Sequence, residues 1–264
     1  MRPYVIPVLP WQKSAGVRAT YHLCDEINRR GGRAVIWNPS PADYAKTPDW
    51  LDCPPAGSLP TSGHAERIVV ATDAIESHDA RTVRWYLGRP ADSIVQPIPG
   101  PNDYVWASWF NPGLRQCWLG AIYDFSLFCP PFSTHVKRRG TAVYIGKGKP
   151  TAPVPADAFV ITPQWPRSRQ DMARLLRSVE LVISFDPFSG LNEEATLCGC
   201  PVRIHNAEPW QVTDTLGYAW TDDRIEAARI EANSGAAYEA FRARSRAAAF
   251  DVDKFIGHTQ GVWE

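Results

Sequence analysis

The densest group of chemically useful side chains lies in "FDPFSGLNEEATLCGC", Phe185 to Cys200. Carboxylates at Asp186, Glu193 and Glu194, a Ser-Gly turn at Ser189–Gly190, and thiols at Cys198 and Cys200 meet within it. The stretch follows "LVIS", an apolar run that reads as a buried strand ending at Ser184. Ligands of parallel α/β sheets bind beyond the carboxyl ends of the strands, so Asp186 to Asn192 occupies a ligand-loop position. A helix beginning near Asn192 or Glu193 aims its free N–H groups and positive dipole end at that loop, which suits a diphosphate. Glu194 then falls in the first turn. An ordinary structural reading stays open beside this one, because the dipole alone favours acids there and Asn192 serves as a common N-cap.

The thiols carry less. Cys24, Cys53, Cys117, Cys129, Cys198 and Cys200 are scattered, with no CxxC pair and no histidines at zinc-type spacing. Cys198 and Cys200 are expected as small buried groups, with no metal site. Eleven tryptophans and 24 prolines suit core and loop packing, or stacking on flat ligands.

The elements that must position these groups follow a β/α rhythm. "YVIPVLP" reads as a strand, and "GVRATYHLCDEINRRGG" as a helix with Val17, Tyr21, Cys24 and Ile27 on one stripe. "RAVIWN" closes a β-α-β unit, which predicts a parallel sheet. "RIVVATD" is the next strand. "DARTVRWYLG" is read as a helix packing Val83, Trp85 and Leu87, and "PGPNDYVWASWFNPG" and "QCWLGAIYDFSLFCPPF" as short strands. Past Pro130–Pro131 and the basic "HVKRRG" the rhythm restarts: "TAVYIGKGKP" and "AFVITP" are strands, "RSRQDMARLLRSV" a helix, "LVIS" and "PVRI" strands. "DDRIEAARIEAN" and "AAYEAFRARSRAAAF" are helical, divided at Ser234–Gly235. Two α/β halves joined near residue 135 is the simplest parse. It predicts domains 1–135 and 136–250, then a tail 251–264.

With 28 basic and 28 acidic side chains the formal charge is zero, so no global field recruits nucleic acid or an anionic membrane. Three prolines interrupt "MRPYVIPVLPWQKSAG", whose apolar run is too short for a signal core or membrane span. A cytoplasmic protein is expected, in a host cytoplasm if the source is a phage.

"SFDPFSGLNEEATLCGCPV" resembles the donor-binding signature of GT-B glycosyltransferases, above all the retaining kind. There an acidic residue, seven others and a glutamate precede A…G-x-P-V. Asp186, Glu194, Ala195, Gly199, Pro201 and Val202 fall on that pattern in register. "YIGKGKP" is similar to the first strand and loop of that family's C-terminal domain, where a basic residue after glycine neutralises the nucleotide diphosphate. Lys147 stands there after Gly146, with Lys149 beside it. "KSAGVRATYHLCDEINRRGGRAVIW" resembles the opening unit, whose glycine loop, here Gly16, lies against donor and acceptor; "VRWYLGRP" resembles a segment of some bacterial and phage members. The chain departs from the pattern in its first acid, Asp186 for the usual Glu, and in Pro187 and Ser189, which replace glycines. The family's second lysine has no counterpart, and Arg167 or Arg169 is the expected substitute.

The resemblance implies two Rossmann-like domains facing a central cleft, with a C-terminal helix crossing between them. It implies transfer of a hexose from a UDP- or GDP-sugar to an acceptor hydroxyl, without metal or permanently bound cofactor. Glu194 would accept hydrogen bonds from the ribose diol and Asp186 would bind donor-sugar hydroxyls. Phe188, Ser189, Gly190 and Leu191 would line the sugar and phosphates, and Lys147, with Lys149 or Arg169, would offset diphosphate charge. Asp73 and His78 stand where a catalytic base would come from if the reaction inverts the sugar; a retaining reaction can pass the proton to the leaving phosphate. The acceptor is a carbohydrate, a protein hydroxyl or a hydroxymethylated pyrimidine in DNA. The DNA reading requires a basic cleft, for which "HVKRRG", Arg81, Arg84, Trp106 and Trp109 are the candidates. From another class, a non-catalytic nucleotide-sugar or glycan-binding module fits the same motif. No GxGxxG follows the first strand, which disfavours a dinucleotide oxidoreductase.

Overall fold

Short apolar runs punctuated by proline and glycine build two parallel sheets in the computed structural model. It describes residues 1–12, 14–38, 47–56, 67–72, 81–88, 98–106, 111–131, 137–146, 148–187, 189–205 and 234–263. Contacts group these into two units, Met1–Ile122 with Ser245–Glu264, and Tyr123–Arg244.

In the first unit, β1 (Tyr4–Pro7), β2 (Ala34–Trp37), β3 (Ile68–Thr72), β4 (Thr82–Tyr86), β5 (Tyr104–Val105) and β6 (Arg115–Gln116) form one sheet, ordered β2-β1-β3-β4-β5-β6. Every adjacent pair is parallel. β1 and β3 are buried along their whole length, as central parallel strands covered on both faces must be. Helix α1 (Ala15–Arg29) connects β1 to β2 and buries the expected stripe of Val17, Tyr21, Cys24 and Ile27.

"DARTVRWYLG" yields β4, correcting the helical reading. Val83 and Trp85 are two residues apart and both fully buried, which is strand periodicity; a helix would need a spacing of three or four. Trp85 donates its indole N–H to the Cys117 carbonyl and packs beside Trp106, which in turn meets Trp118. "QCWLGAIYDFSLFCPPF" contributes only Gln116 to a strand, then a 3₁₀ turn at Gly120–Ile122. The end of the chain is helical: α5 (Ala249–Gly261) follows α4 (Ser234–Ala247), which contains the division between the units. From α5, Thr259 bonds the Tyr4 hydroxyl at 2.7 Å and His258 the Tyr104 hydroxyl at 2.8 Å. The expected helix "DDRIEAARIEAN" lies outside the described residues.

The second unit holds β7 (Thr141–Tyr144), β8 (Phe159–Ile161), β9 (Leu181–Ser184) and β10 (Val202–Ile204) in the order β10-β9-β7-β8, again all parallel. Helix α2 (Arg169–Ser178) joins β8 to β9, and α3 (Gly190–Leu197) joins β9 to β10. Strand order reverses on either side of β7, so the loops after β7 and β9 leave the sheet in opposite senses. Such a reversal marks the carboxyl-edge crevice where parallel α/β sheets bind ligands.

Arg138, from the basic "HVKRRG", is not a surface charge. It is buried and donates to the carbonyls of Leu176 and Val179, at the end of α2, and of Cys198, at the end of α3. Helix ends leave carbonyls unsatisfied and carry partial negative charge, and one guanidinium answers both ends. Arg138→Ala is expected to destabilise the protein by about 3 kcal/mol, since charged donors are lost and buried carbonyls are left bare. Arg138→Lys should recover part of this and the exposed Lys137→Ala should stay within about 0.5 kcal/mol in urea unfolding.

Candidate functional site

The two loops at the crevice of the second unit are "IGKG" after β7 and "FDPFS" after β9, and they are pressed together. Gly146 has a φ of 56°, and a Cβ placed there would lie 2.4 Å from Asp186 Oδ2 and 2.7 Å from the Asp186 Cβ. At Gly148 a Cβ would lie 1.7 Å from the Phe185 carbonyl oxygen. Only glycine lets the two backbones approach so closely. The Phe185 N–H donates to the Tyr144 carbonyl at 2.8 Å, carrying the β7–β9 pairing up to the loops.

Asp186 is buried, and its backbone is held by three donors. Its carbonyl accepts from the Ser184 hydroxyl at 3.1 Å, the Asn192 amide at 2.9 Å and the Ser189 N–H at 3.3 Å. Ser189 is the N-cap of α3, its hydroxyl accepting from the Leu191 N–H at 3.2 Å. The helix therefore starts at Gly190, two residues before the sequence suggests, because Ser189 outcompetes Asn192 as the cap. Glu193 takes the first-turn position, and Glu194 lies one residue further, buried. Asn192 is the third residue of α3, in its first turn, and is 1% exposed.

Glu194 is bound to Arg169, with Nη1 3.0 Å from Oε1. Arg169 is the first residue of α2, and its guanidinium lies 4.6 Å from the centre of the Phe128 ring. A cation at a helix N-terminus opposes the macrodipole, so the Glu194 carboxylate and the Phe128 face are what hold it there. Tyr144 brings its hydroxyl beside Ser189, and burial, then the nearby Asp186 and Glu194 charges, push its pKa above the usual phenol value. A neutral hydroxyl thus stands among the carboxylates.

Several sequence candidates thereby converge in one unit: Gly146, Arg169, Asp186, Ser189, Gly190, Leu191 and Glu194, with Lys149 exposed just beyond Gly148. Lys147, Phe188, Asp73 and His78 lie outside the described residues. Gly16 belongs to the first unit, at the start of α1, where a Cβ would come 3.3 Å from Leu87 Cδ1. Among the DNA-contact candidates, Trp106 is buried between Trp85 and Trp118 and is no stacking platform, and Trp109 lies outside the described residues. The sequence names Asn192 only as an N-cap and does not point to Tyr144, Phe128 or Gly148. The doubled glycine of "GKG" was the readable signal for Gly148; nothing local marks Phe128 as the platform for Arg169.

The paired thiols belong to the end of α3. Cys198 is the C-cap, Gly199 follows with a φ of 67°, and the Cys200 N–H returns to the Ala195 carbonyl at 2.9 Å. All six cysteines are buried free thiols, and desolvation pushes Cys198 well above the ordinary thiol range. Among the described residues no group of three or more His, Cys, Asp or Glu could hold a metal ion, and no helix is long and apolar enough to cross a membrane.

No protein-family model and no curated protein matches the sequence. Among solved structures the chain is similar to SsfS6, a glycosyltransferase of Streptomyces sp. SF2575, at 10% identity over 96% of both chains with a TM-score of 0.38. It is also similar to the spinosyn rhamnosyltransferase SpnG complexed with thymidine diphosphate, at 13% identity over 97% of this chain and 96% of that one, with a TM-score of 0.41.

The glycine contacts predict an unequal response to one methyl group. Gly148→Ala should destabilise the protein by roughly 2–4 kcal/mol, because the obstacle is backbone. At Gly235, in the first turn of α4, an added Cβ meets nothing within 4 Å. Gly235→Ala should therefore be neutral or stabilise by up to about 1 kcal/mol in the same unfolding titration.

Proposed function

We propose that the chain is a glycosyltransferase of the GT-B kind, moving a sugar from a nucleotide-diphosphate donor to an acceptor hydroxyl. The observation that carries this reading is the approach of the "IGKG" loop to Asp186 at the strand-order reversal of the second unit. The two motifs that resemble the family's donor-binding signature meet there, 40 residues apart in sequence between Gly146 and Asp186. A shared carboxyl edge with the N-termini of α2 and α3 favours an anionic ligand, and the diphosphate is the anion of a nucleotide sugar.

In this reading the Glu194 carboxylate binds the ribose hydroxyls. Arg169 fixes its orientation through the 3.0 Å ion pair, so that Glu194 is set before the nucleotide arrives. Asp186, fixed at its carbonyl by three donors, offers its carboxylate to the hydroxyls of the donor sugar. The α3 N-terminus at Ser189–Gly190 and the Lys147 ammonium stabilise the negative charge that grows on the departing diphosphate. Lys149 and Leu191 flank the same ligand. Charge on the leaving group is answered by protein cations and N–H dipoles, so the chemistry does not require a metal. Gly16 would serve donor and acceptor, and Asp73 or His78 would be the base if the reaction inverts the sugar. The donor is a UDP- or GDP-hexose and the acceptor a carbohydrate or protein hydroxyl.

The reading is tested by thermal shift and titration with UDP, GDP, TDP and their glucose esters, followed by donor hydrolysis without acceptor. At least one nucleotide should stabilise the protein, and hydrolysis separates an enzyme from a binding module. Glu194→Gln should weaken nucleotide binding by about tenfold to a hundredfold, the worth of a charged hydrogen bond. The absence of any response to all these nucleotides would overturn the proposal, and wild-type affinity in Glu194→Gln would remove Glu194 from the site.

A further inference from the structure

Asn192 is an anomalous residue for its place. It lies in the first turn of α3, is 1% exposed, and uses half of its amide: Nδ2 donates to the Asp186 carbonyl at 2.9 Å while Oδ1 has no hydrogen-bond partner. The assignment of nitrogen and oxygen follows from the contact, because the reverse placement would set two acceptors against each other. A buried acceptor without a partner is a cost to the fold. An apolar side chain would remove that cost. It would strand nothing, because the Asp186 carbonyl also accepts from the Ser184 hydroxyl and the Ser189 N–H. The Asn192 bond is thus redundant for satisfying polar groups. What it adds is a tether from the third residue of α3 back to Asp186, two residues beyond the end of β9.

We infer that Asn192 is a positioning residue of the donor site: its amide holds the Asp186 carbonyl, and through it the turn that aims the Asp186 carboxylate. The inference rests on the nucleotide-sugar reading of this site and adds a residue to it. A local rule of stability is broken beside a binding loop, where such exceptions are expected. The Asp186 side chain is braced on its other side by Gly146, which its carboxylate and Cβ contact closely. With Asn192 removed, the backbone end of this clamp loosens while the glycine end stays. The effect belongs to the sugar hydroxyls and not to the ribose, which Glu194 serves from a separate anchor, Arg169.

The experiment compares wild type with Asn192→Leu, Asn192→Ala and Asn192→Asp, using UDP and UDP-glucose, with the GDP and TDP pairs run alongside. Thermal unfolding is measured on the same samples. Asn192→Ala and Asn192→Leu should keep or raise the melting temperature and bind the nucleoside diphosphate within about twofold of wild type. Both should lose about tenfold in affinity for the nucleotide sugar, the worth of one positioned hydrogen bond. Asn192→Asp should lose more, because a carboxylate oxygen then faces the Asp186 carbonyl. If Leu proves too large to fold, the alanine variant carries the comparison. Unchanged nucleotide-sugar affinity in Asn192→Ala, or equal losses for diphosphate and sugar nucleotide, would overturn the inference and leave the nucleotide-sugar site standing. A wild-type protein that binds no nucleotide would overturn that reading, and the inference with it.

Discussion

The backbone contact between Gly148 and Phe185, with Gly146 against Asp186, is the constraint on which the site of the second unit depends. β7 and β9 are neighbours in the sheet, so their following loops begin side by side. Side chains at positions 146 and 148 would force those loops apart by the width of a Cβ, and the turn through Asp186 would have to move. With glycine at both, the turn is trapped between the "GKG" backbone and the start of α3. The polar groups of the β9–α3 segment take their places from that trapped turn: Asp186 directly, Ser189 and Asn192 through their bonds to the Asp186 carbonyl and the Leu191 N–H, and Glu194 through the helix that Ser189 caps.

A second constraint acts from the opposite ends of the helices. Arg138 ties the carboxyl ends of α2 and α3 together, so the N-termini of both helices are set relative to one another at the crevice edge. The Arg169–Glu194 pair joins the same two helices near their beginnings. α3 is only eight residues long and buried on nearly all sides, too short to be stable by itself. Its existence is a tertiary fact, held by a cap at one end and a buried guanidinium at the other.

Much of this was legible beforehand. Near-continuous apolar runs such as "IVVAT" and "LVIS" identify buried parallel strands, and the Asp186–Glu194 spacing at a strand's end marks the loop. The start of α3 was misplaced because Ser189 and Asn192 are both good caps, and only the fold of "FDPFS" decides which hydroxyl or amide reaches a free N–H. β4 was misread because Val83, Trp85 and Leu87 were counted as one helical face, although their spacing of two belongs to a strand. The basic "HVKRRG" suggested a charged surface; burial of Arg138 depends on two helix ends arriving from residues 176–198, which no local window contains.

The sequence by itself determined the alternation of strands and helices, the parallel pairing, and the presence of an irregular acidic loop before a short helix. Local composition suffices for these because hydrophobic periodicity and capping act over a few residues. Tertiary structure alone decided that Gly146 meets Asp186 and Gly148 meets Phe185, that Glu194 pairs with an arginine 25 residues away in sequence, and that Asn192 turns inward to the loop. Those facts follow from strand order: β9 lies beside β7 with β8 on the far side, so segments distant in the chain leave the sheet as neighbours. Cys198 and Cys200, the most conspicuous pair in the sequence, prove to be small buried groups around a helix cap.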